Sequence, residues 1–151
     1  MNSLGDLEAR LKFNNALRAY LSQPEIRSQL TEKSQQRIEK KHVMSILDSK
    51  DAQDIKVMNE CPIRIKDFWS ETSKKRHEEI KDTLTKLNIN FVENPTLVRG
   101  IEYYNDLCFE IKYTGEKGMT KDTLLGGGRY DFLFNQLQGK EYTKSQIPAI
   151  G

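Results

Sequence analysis

Leu97-Val98-Arg99-Gly100-Ile101-Glu102-Tyr103-Tyr104 runs directly into Asn105-Asp106-Leu107-Cys108-Phe109-Glu110-Ile111-Lys112-Tyr113, and here the character of the chain changes. From Tyr103 to Tyr113 aromatic and β-branched residues dominate, and Leu107, Phe109 and Ile111 share one face at period two, which predicts a strand. Thr114 to Gly118 contains two glycines and reads as a hairpin turn. A second strand is expected from about Thr120 to Leu125, with Gly126-Gly127-Gly128 breaking it. Tyr130 to Leu137 reads as a helix ended by Gly139, and Ile89 to Val92 as a short strand.

Upstream the pattern is helical. Leu7, Leu11, Leu17 and Leu21 recur at helical spacing, and Asp6 suits the start as a cap. Pro24 fits the first turn of a second helix, and Thr31 can cap one from Glu32 to Lys41. Asp51 can open a short helix ending before Cys61-Pro62. Ser70 can cap a longer one, Glu71 to Leu87, with Ile80, Leu84 and Leu87 on one face and Asn88 as its stop. The expectation is an α+β fold: a mostly helical module followed by an antiparallel β-hairpin and a helix. Both ends read as cut, since Ile147-Pro148-Ala149-Ile150-Gly151 stops within an apolar run.

The 151 residues are 36% hydrophobic and 30% charged, room for one domain or two small ones with a thin core. No run reaches the roughly 18 apolar residues of a membrane span, and no secretory leader is visible, so a cytoplasmic setting is expected. Cys61 and Cys108 lack metal-ligand spacing and read as reduced, buried thiols. With two histidines, a His/Cys zinc site is improbable, and no metal ligands are assigned. A net charge of +2 permits nucleic-acid binding without demanding it.

Several residues suit a ligand site. Arg99 carries a fixed fork of donors that matches a carboxylate or phosphate, though it equally suits a surface ion pair. Tyr103 and Tyr104 would face opposite sides of a regular strand, one in the core and one in a pocket, or both as ordinary strand aromatics. Gly126-Gly127-Gly128 could let a flat ligand lie on bare backbone or could simply turn. It is not a phosphate loop, because no Gly-Lys-Ser/Thr follows. Tyr130 could wall a pocket, and Asp131 could cap a helix. Basic residues cluster at Lys33, Arg37, Lys40, Lys41 and again at Lys74, Lys75, Arg76. They can neutralise RNA phosphates or form solvated helix faces diluted by Glu32, Glu39, Glu78 and Glu79.

As a spaced pair, Leu97–Tyr104 and Gly127-Gly128-Arg129-Tyr130-Asp131 resemble the two histidine-specific motifs of histidyl-tRNA synthetases, class II aminoacyl-tRNA synthetases. Asn2-Ser3-Leu4-Gly5 resembles the end of a core strand, Ile46–Lys50 a segment of the helical insertion, and Pro148–Gly151 the opening of the third class II motif. The resemblance implies residues 1–5 as the end of a core strand, 6–89 as a helical insertion domain, and 90–151 as part of an incomplete antiparallel catalytic core. It implies an ATP- and Mg2+-dependent ligase, normally a homodimer, that activates histidine and charges its tRNA. Arg99 would contact the substrate carboxylate and the α-phosphate. Tyr103, Tyr104, Gly127, Gly128 and Tyr130 would line the histidine site, with Tyr104 bonded to the imidazole.

Two departures stand out. Phe132 stands where the family usually has glycine, and Glu102 replaces a common aspartate. Motif-two and motif-three arginines and an anticodon-binding domain are absent, so the piece alone is expected to be inactive. Two other readings are a non-catalytic synthetase-like paralogue, such as a regulatory subunit of histidine biosynthesis, and an RNA-binding module.

Overall fold

The computed structural model describes residues 1–98, 103–114, 120–139 and 147–151. Along the chain lie β1 (Asn2–Ser3), α1 (Leu7–Leu21), α2 (Pro24–Arg27), α3 (Glu32–Glu39), α4 (Ala52–Glu60), α5 (Glu71–Lys86), β2 (Asn105–Thr114), β3 (Thr120–Arg129) and α6 (Leu133–Leu137). Short 3-10 turns occupy Val43–Ile46 and Ile65–Phe68. The fold is α+β, with a three-stranded antiparallel sheet in the order β1-β2-β3.

The helices begin where side chains can take up their orphan amides. Asp6 accepts from Ala9 N at 2.9 Å, Thr31 from Ser34 N at 3.3 Å, Asp51 from Gln53 N at 2.9 Å and Ser70 from Ser73 N at 3.2 Å. Pro24 stands at the first turn of α2. Asn88, with φ 53°, stops α5 in the left-handed conformation that asparagine tolerates.

Phe13, Leu17 and Leu21 of α1 are fully buried, each worth about 1.5–3 kcal/mol of burial. They belong to one apolar cluster that includes Ile38, Ile46, Val57 and Met58 and continues through Leu4 and Val98 to Tyr104 and Cys108 of the sheet. Helices and sheet therefore share a core. Cys61 and Cys108 are free and buried within it, and burial pushes the Cys61 thiol up.

A polar knot holds the helices from inside. Asp54 on α4 is 1% exposed. It accepts from Thr31 N at 2.9 Å and from the hydroxyls of Thr31 at 3.0 Å, Ser34 at 2.7 Å and Ser49 at 2.7 Å. Burial pushes its carboxyl upward, but these donors outweigh burial and hold it below its ordinary value.

Four expectations change. The glycines do not break β3, which runs through them to Arg129. Residues 89–92 are not a strand; the segment instead bonds the amino terminus, with Met1 N donating to Val92 O at 2.8 Å and Asn94 N to Met1 O at 2.9 Å. Helix α5 buries Ser73 and His77, while Leu87 is exposed, so its buried face is largely polar. Helix α6 is one short turn, and Asp131 lies before it, pairing with residues of the sheet rather than capping. Of the turn expected at Thr114–Gly118, residues 115–118 lie outside the described residues.

Candidate functional site

The two sequence motifs meet at the start of β2 and the end of β3. The register sets Phe109 opposite Gly127, Cys108 opposite Gly128 and Asn105 opposite Arg129. Between the last two pairs β2 advances three residues while β3 advances one, a bulge centred on Asp106. Asp106 has φ 50°, strained for a residue with a side chain.

Tyr103 lies in the turn before β2, so strand alternation does not govern it. The two tyrosines therefore do not point to opposite faces. Their rings meet edge to face at 5.3 Å between centroids, and Tyr130 joins them, 5.7 Å from Tyr103 and stacked on Tyr104 at 6.2 Å and 22°. Tyr104 is buried and Tyr103 and Tyr130 are half-buried.

The glycines make this aromatic group possible. A Cβ on Gly128 would stand 2.7 Å from the Tyr104 ring and 2.9 Å from Leu107 O, and one on Gly127 would stand 2.6 Å from the Phe109 ring. Here bare backbone is a packing requirement. Beyond β3, Gly128 N donates to Gly151 O at 2.9 Å and Tyr130 N to Ala149 O at 2.9 Å, so residues 149–151 lie antiparallel along the strand edge.

A polar lattice fixes the backbone around the rings. The Asn105 side chain donates to Asp131 Oδ2 at 3.1 Å and accepts from Asp131 N at 2.8 Å, and Arg129 Nε donates to the same carboxylate oxygen at 2.8 Å. Arg10 of α1 donates to the carbonyl of Tyr104. Ser73 and Arg76 of α5 take the two carboxylate oxygens of Asp106. Farther along α5, buried His77 bonds Glu93 at 2.9 Å, and Lys81 approaches Glu93 at 3.0 Å. The His77 bond, then Lys81, hold the Glu93 carboxyl below its ordinary range, and Glu93 raises the Lys81 ammonium.

Of the residues singled out by sequence, Tyr103, Tyr104, Tyr130, Gly127 and Gly128 come together. Arg99, with Gly100, Ile101 and Glu102, lies outside the described residues. Phe132 is buried at the start of α6. The basic residues separate into two kinds. Lys33, Lys40 and Lys41 are exposed, while Arg37 donates to Ser45 O at 3.1 Å. In the second cluster Lys74 pairs with Glu71, Lys75 lies 3.9 Å from Glu79, and Arg76 holds Asp106. Asn105, Asp106 and Arg10 escaped the sequence reading. A polar Asn-Asp pair interrupting an apolar alternation was the available sign of a bulge.

Chemically, three clustered tyrosines suit a small planar ligand with polar ring atoms, since each hydroxyl can donate and accept. Among the described residues no group of three or more His, Cys, Asp or Glu side chains could hold a metal ion. No helix among them is long and apolar enough to cross a membrane.

No protein-family model matches the chain. Its whole length is 39% identical to a histidine–tRNA ligase of Fervidobacterium nodosum and 40% identical to a chloroplastic histidine–tRNA ligase of Porphyra purpurea, in each case covering 33% of that protein. Among solved structures, apo histidyl-tRNA synthetase of Staphylococcus aureus superposes with a TM-score of 0.62 at 32% identity, over 99% of this chain and 33% of that one. The chain thus spans about a third of the length of the relatives it matches, and the resemblance drawn from its motifs extends from end to end.

Proposed function

We propose that this chain is a segment of a histidine–tRNA ligase, and that its tyrosine group is the histidine-binding part of that enzyme's active site. The observation that carries the reading is the end-to-end match at about 40% identity to proteins of that name. In this reading residues 1–5 close a core strand, 6–89 form the helical insertion and 90–151 supply part of the catalytic core. Ile111, Tyr113 and Leu125 are about half exposed on the hairpin, an apolar face that the remainder of the core sheet would cover.

The chemistry follows from the residue types. The Tyr104 hydroxyl bonds the imidazole, and Tyr103, Tyr130 and the Gly127–Gly128 backbone shape the walls. A polar site of this kind rejects a side chain that leaves its groups unpaired. The Arg99 guanidinium neutralises charge where the histidine carboxylate meets the α-phosphate, a fixed-donor stabilisation that costs no reorganisation. In the whole enzyme ATP would supply the phosphate and Mg2+ the counter-charge. The whole enzyme is a cytoplasmic homodimer. Lys33, Arg37, Lys40, Lys41, Lys74, Lys75 and Arg76 face histidine tRNA, and Lys33, Lys40 and Lys41 are the strongest of these because they are exposed and, unlike Lys74, Lys75 and Arg76, in no ion pair among the described residues.

The test is histidine-dependent ATP–pyrophosphate exchange in the full-length protein. Arg99→Ala lowers kcat/KM by about 10³-fold, the scale of losing one fixed oxyanion donor. Near-wild-type exchange in that variant removes Arg99 from the mechanism.

A further inference from the structure

Three successive residues behind the tyrosine rings are each gripped by a different part of the chain. Tyr104 gives its carbonyl to Arg10 of α1, and Asn105 is bracketed by Asp131. Asp106 is the most heavily constrained. Its amide donates to Gly5 O at 2.8 Å, and its carbonyl accepts from Leu4 N at 2.6 Å. Its carboxylate accepts from Ser73 Oγ at 2.5 Å and pairs with Arg76.

These bonds explain a conformation that the residue would not otherwise choose. Asp106 is 3% exposed and sits at φ 50°. A left-handed aspartate persists only where its surroundings over-determine it. A buried carboxylate likewise persists only where it is paired and hydrogen-bonded. Both conditions are met by helix α5 and the Leu4–Gly5 backbone. The consequence of the left-handed turn is the bulge, which aligns Asn105 with Arg129 and directs Tyr104 onto Gly128 and Tyr130.

We propose that Asp106 is a positioning residue for the tyrosine pocket, and that helix α5 sets the pocket's shape through it. The proposal deepens the histidine-site reading and rests on that reading for the identity of the ligand. It assigns Arg76 a role apart from nucleic acid: its guanidinium is the counter-charge that keeps the Asp106 carboxylate in place. A shift of α5 against the sheet therefore reaches the tyrosine rings through one ion pair.

The test uses two readouts. The chain, with its six tyrosines, is labelled with 3-fluorotyrosine, and the Tyr20 and Tyr104 resonances are assigned by single Tyr→Phe changes. Arg76→Met, which keeps the apolar stem at a partly exposed position, and Asp106→Asn should both move the Tyr104 resonance while Tyr20 on α1 stays. In the full-length protein the same variants should raise the KM for histidine in pyrophosphate exchange about tenfold, the scale of a small displacement in a binding site, and leave the KM for ATP unchanged. Arg76→Lys should recover part of both effects. That assay contains no tRNA, so a phosphate-binding role of Arg76 would not register in it. A lower melting temperature with Tyr104 and both KM values at wild type would overturn the proposal and make the clamp purely structural. If wild-type full-length protein shows no histidine-dependent exchange, the histidine reading fails, and the fluorine shift alone decides the positioning role.

Discussion

The helical half and the hairpin half are stabilised in opposite ways. Between Leu7 and Lys86 the order is local: each long helix starts at its own cap, and one buried carboxylate, Asp54, ties the start of α3 and the loop before α4 together through four donors. At the hairpin the order comes from a distance. Gly128 is bare because Tyr104 lies on it, and Asp106 is turned because α5 and Gly5 hold it. The lesson is that a polar residue can be the least replaceable part of a helical module, and the absence of a side chain the least replaceable part of an aromatic cluster.

The largest expected effect tests whether Asp54 or the apolar cluster governs the helical half. Asp54→Ala leaves three hydroxyls and an amide without their shared acceptor, and should cost about 4 kcal/mol in urea unfolding. A loss no larger than that of a single cap would move the weight back to the leucines. Next, Gly128→Ala should cost about 3 kcal/mol by overpacking against Tyr104 and Leu107 O. It should also alter the near-ultraviolet dichroism of the tyrosines while the helical signal at 222 nm persists, because the two halves depend on different contacts. Loss of both signals together would show that the shared core overrides the distinction.

The pH dependence follows from Asp54. Its folded carboxyl titrates below its unfolded value, so the stabilisation is present above the ordinary carboxylate range and drains away as pH falls through the folded value. Acid unfolding of the wild type should therefore be steeper than that of Asp54→Asn, which starts less stable and has a flatter acid limb. Equal slopes would assign the acid transition to other carboxylates. The smallest effect is Ser70→Ala, about 1 kcal/mol by thermal unfolding, the usual worth of an N-cap hydroxyl. Because α5 carries Ser73 and Arg76, a change in the tyrosine dichroism of that variant would link the halves.

Legibility followed the same division. Asp6, Thr31, Asp51 and Ser70 could be read as caps because a cap acts within three residues of itself. The strand at Asn105–Thr114 was visible from its alternation, and the tyrosines and glycines from their motifs. What stayed hidden was non-local. Strand alternation did not separate Tyr103 from Tyr104, because Tyr103 sits in a turn before the strand begins. Glycine's poor strand propensity argued for a break at 126–128, but close packing on Phe109 and Tyr104 overrode it. Ile89 to Val92 had strand composition and found no ladder to join. The partners of Asp106 lie some thirty and a hundred residues upstream, beyond the reach of any local pattern.

That spread in sequence also has a consequence in time. Asn2 reaches Pro95 across 93 residues, and Arg10 reaches Tyr104 across 94. Contacts of such separation form only after a long loop has closed, whereas capped helices need no closure at all. A refolding chain would gather its helices and close the β2–β3 hairpin first, and would pair β1 with β2 and bond Arg10 to the Tyr104 carbonyl last. Labels on Tyr104, whose carbonyl waits for Arg10, and on the middle of α1 should therefore report different rates, with Tyr104 the slower.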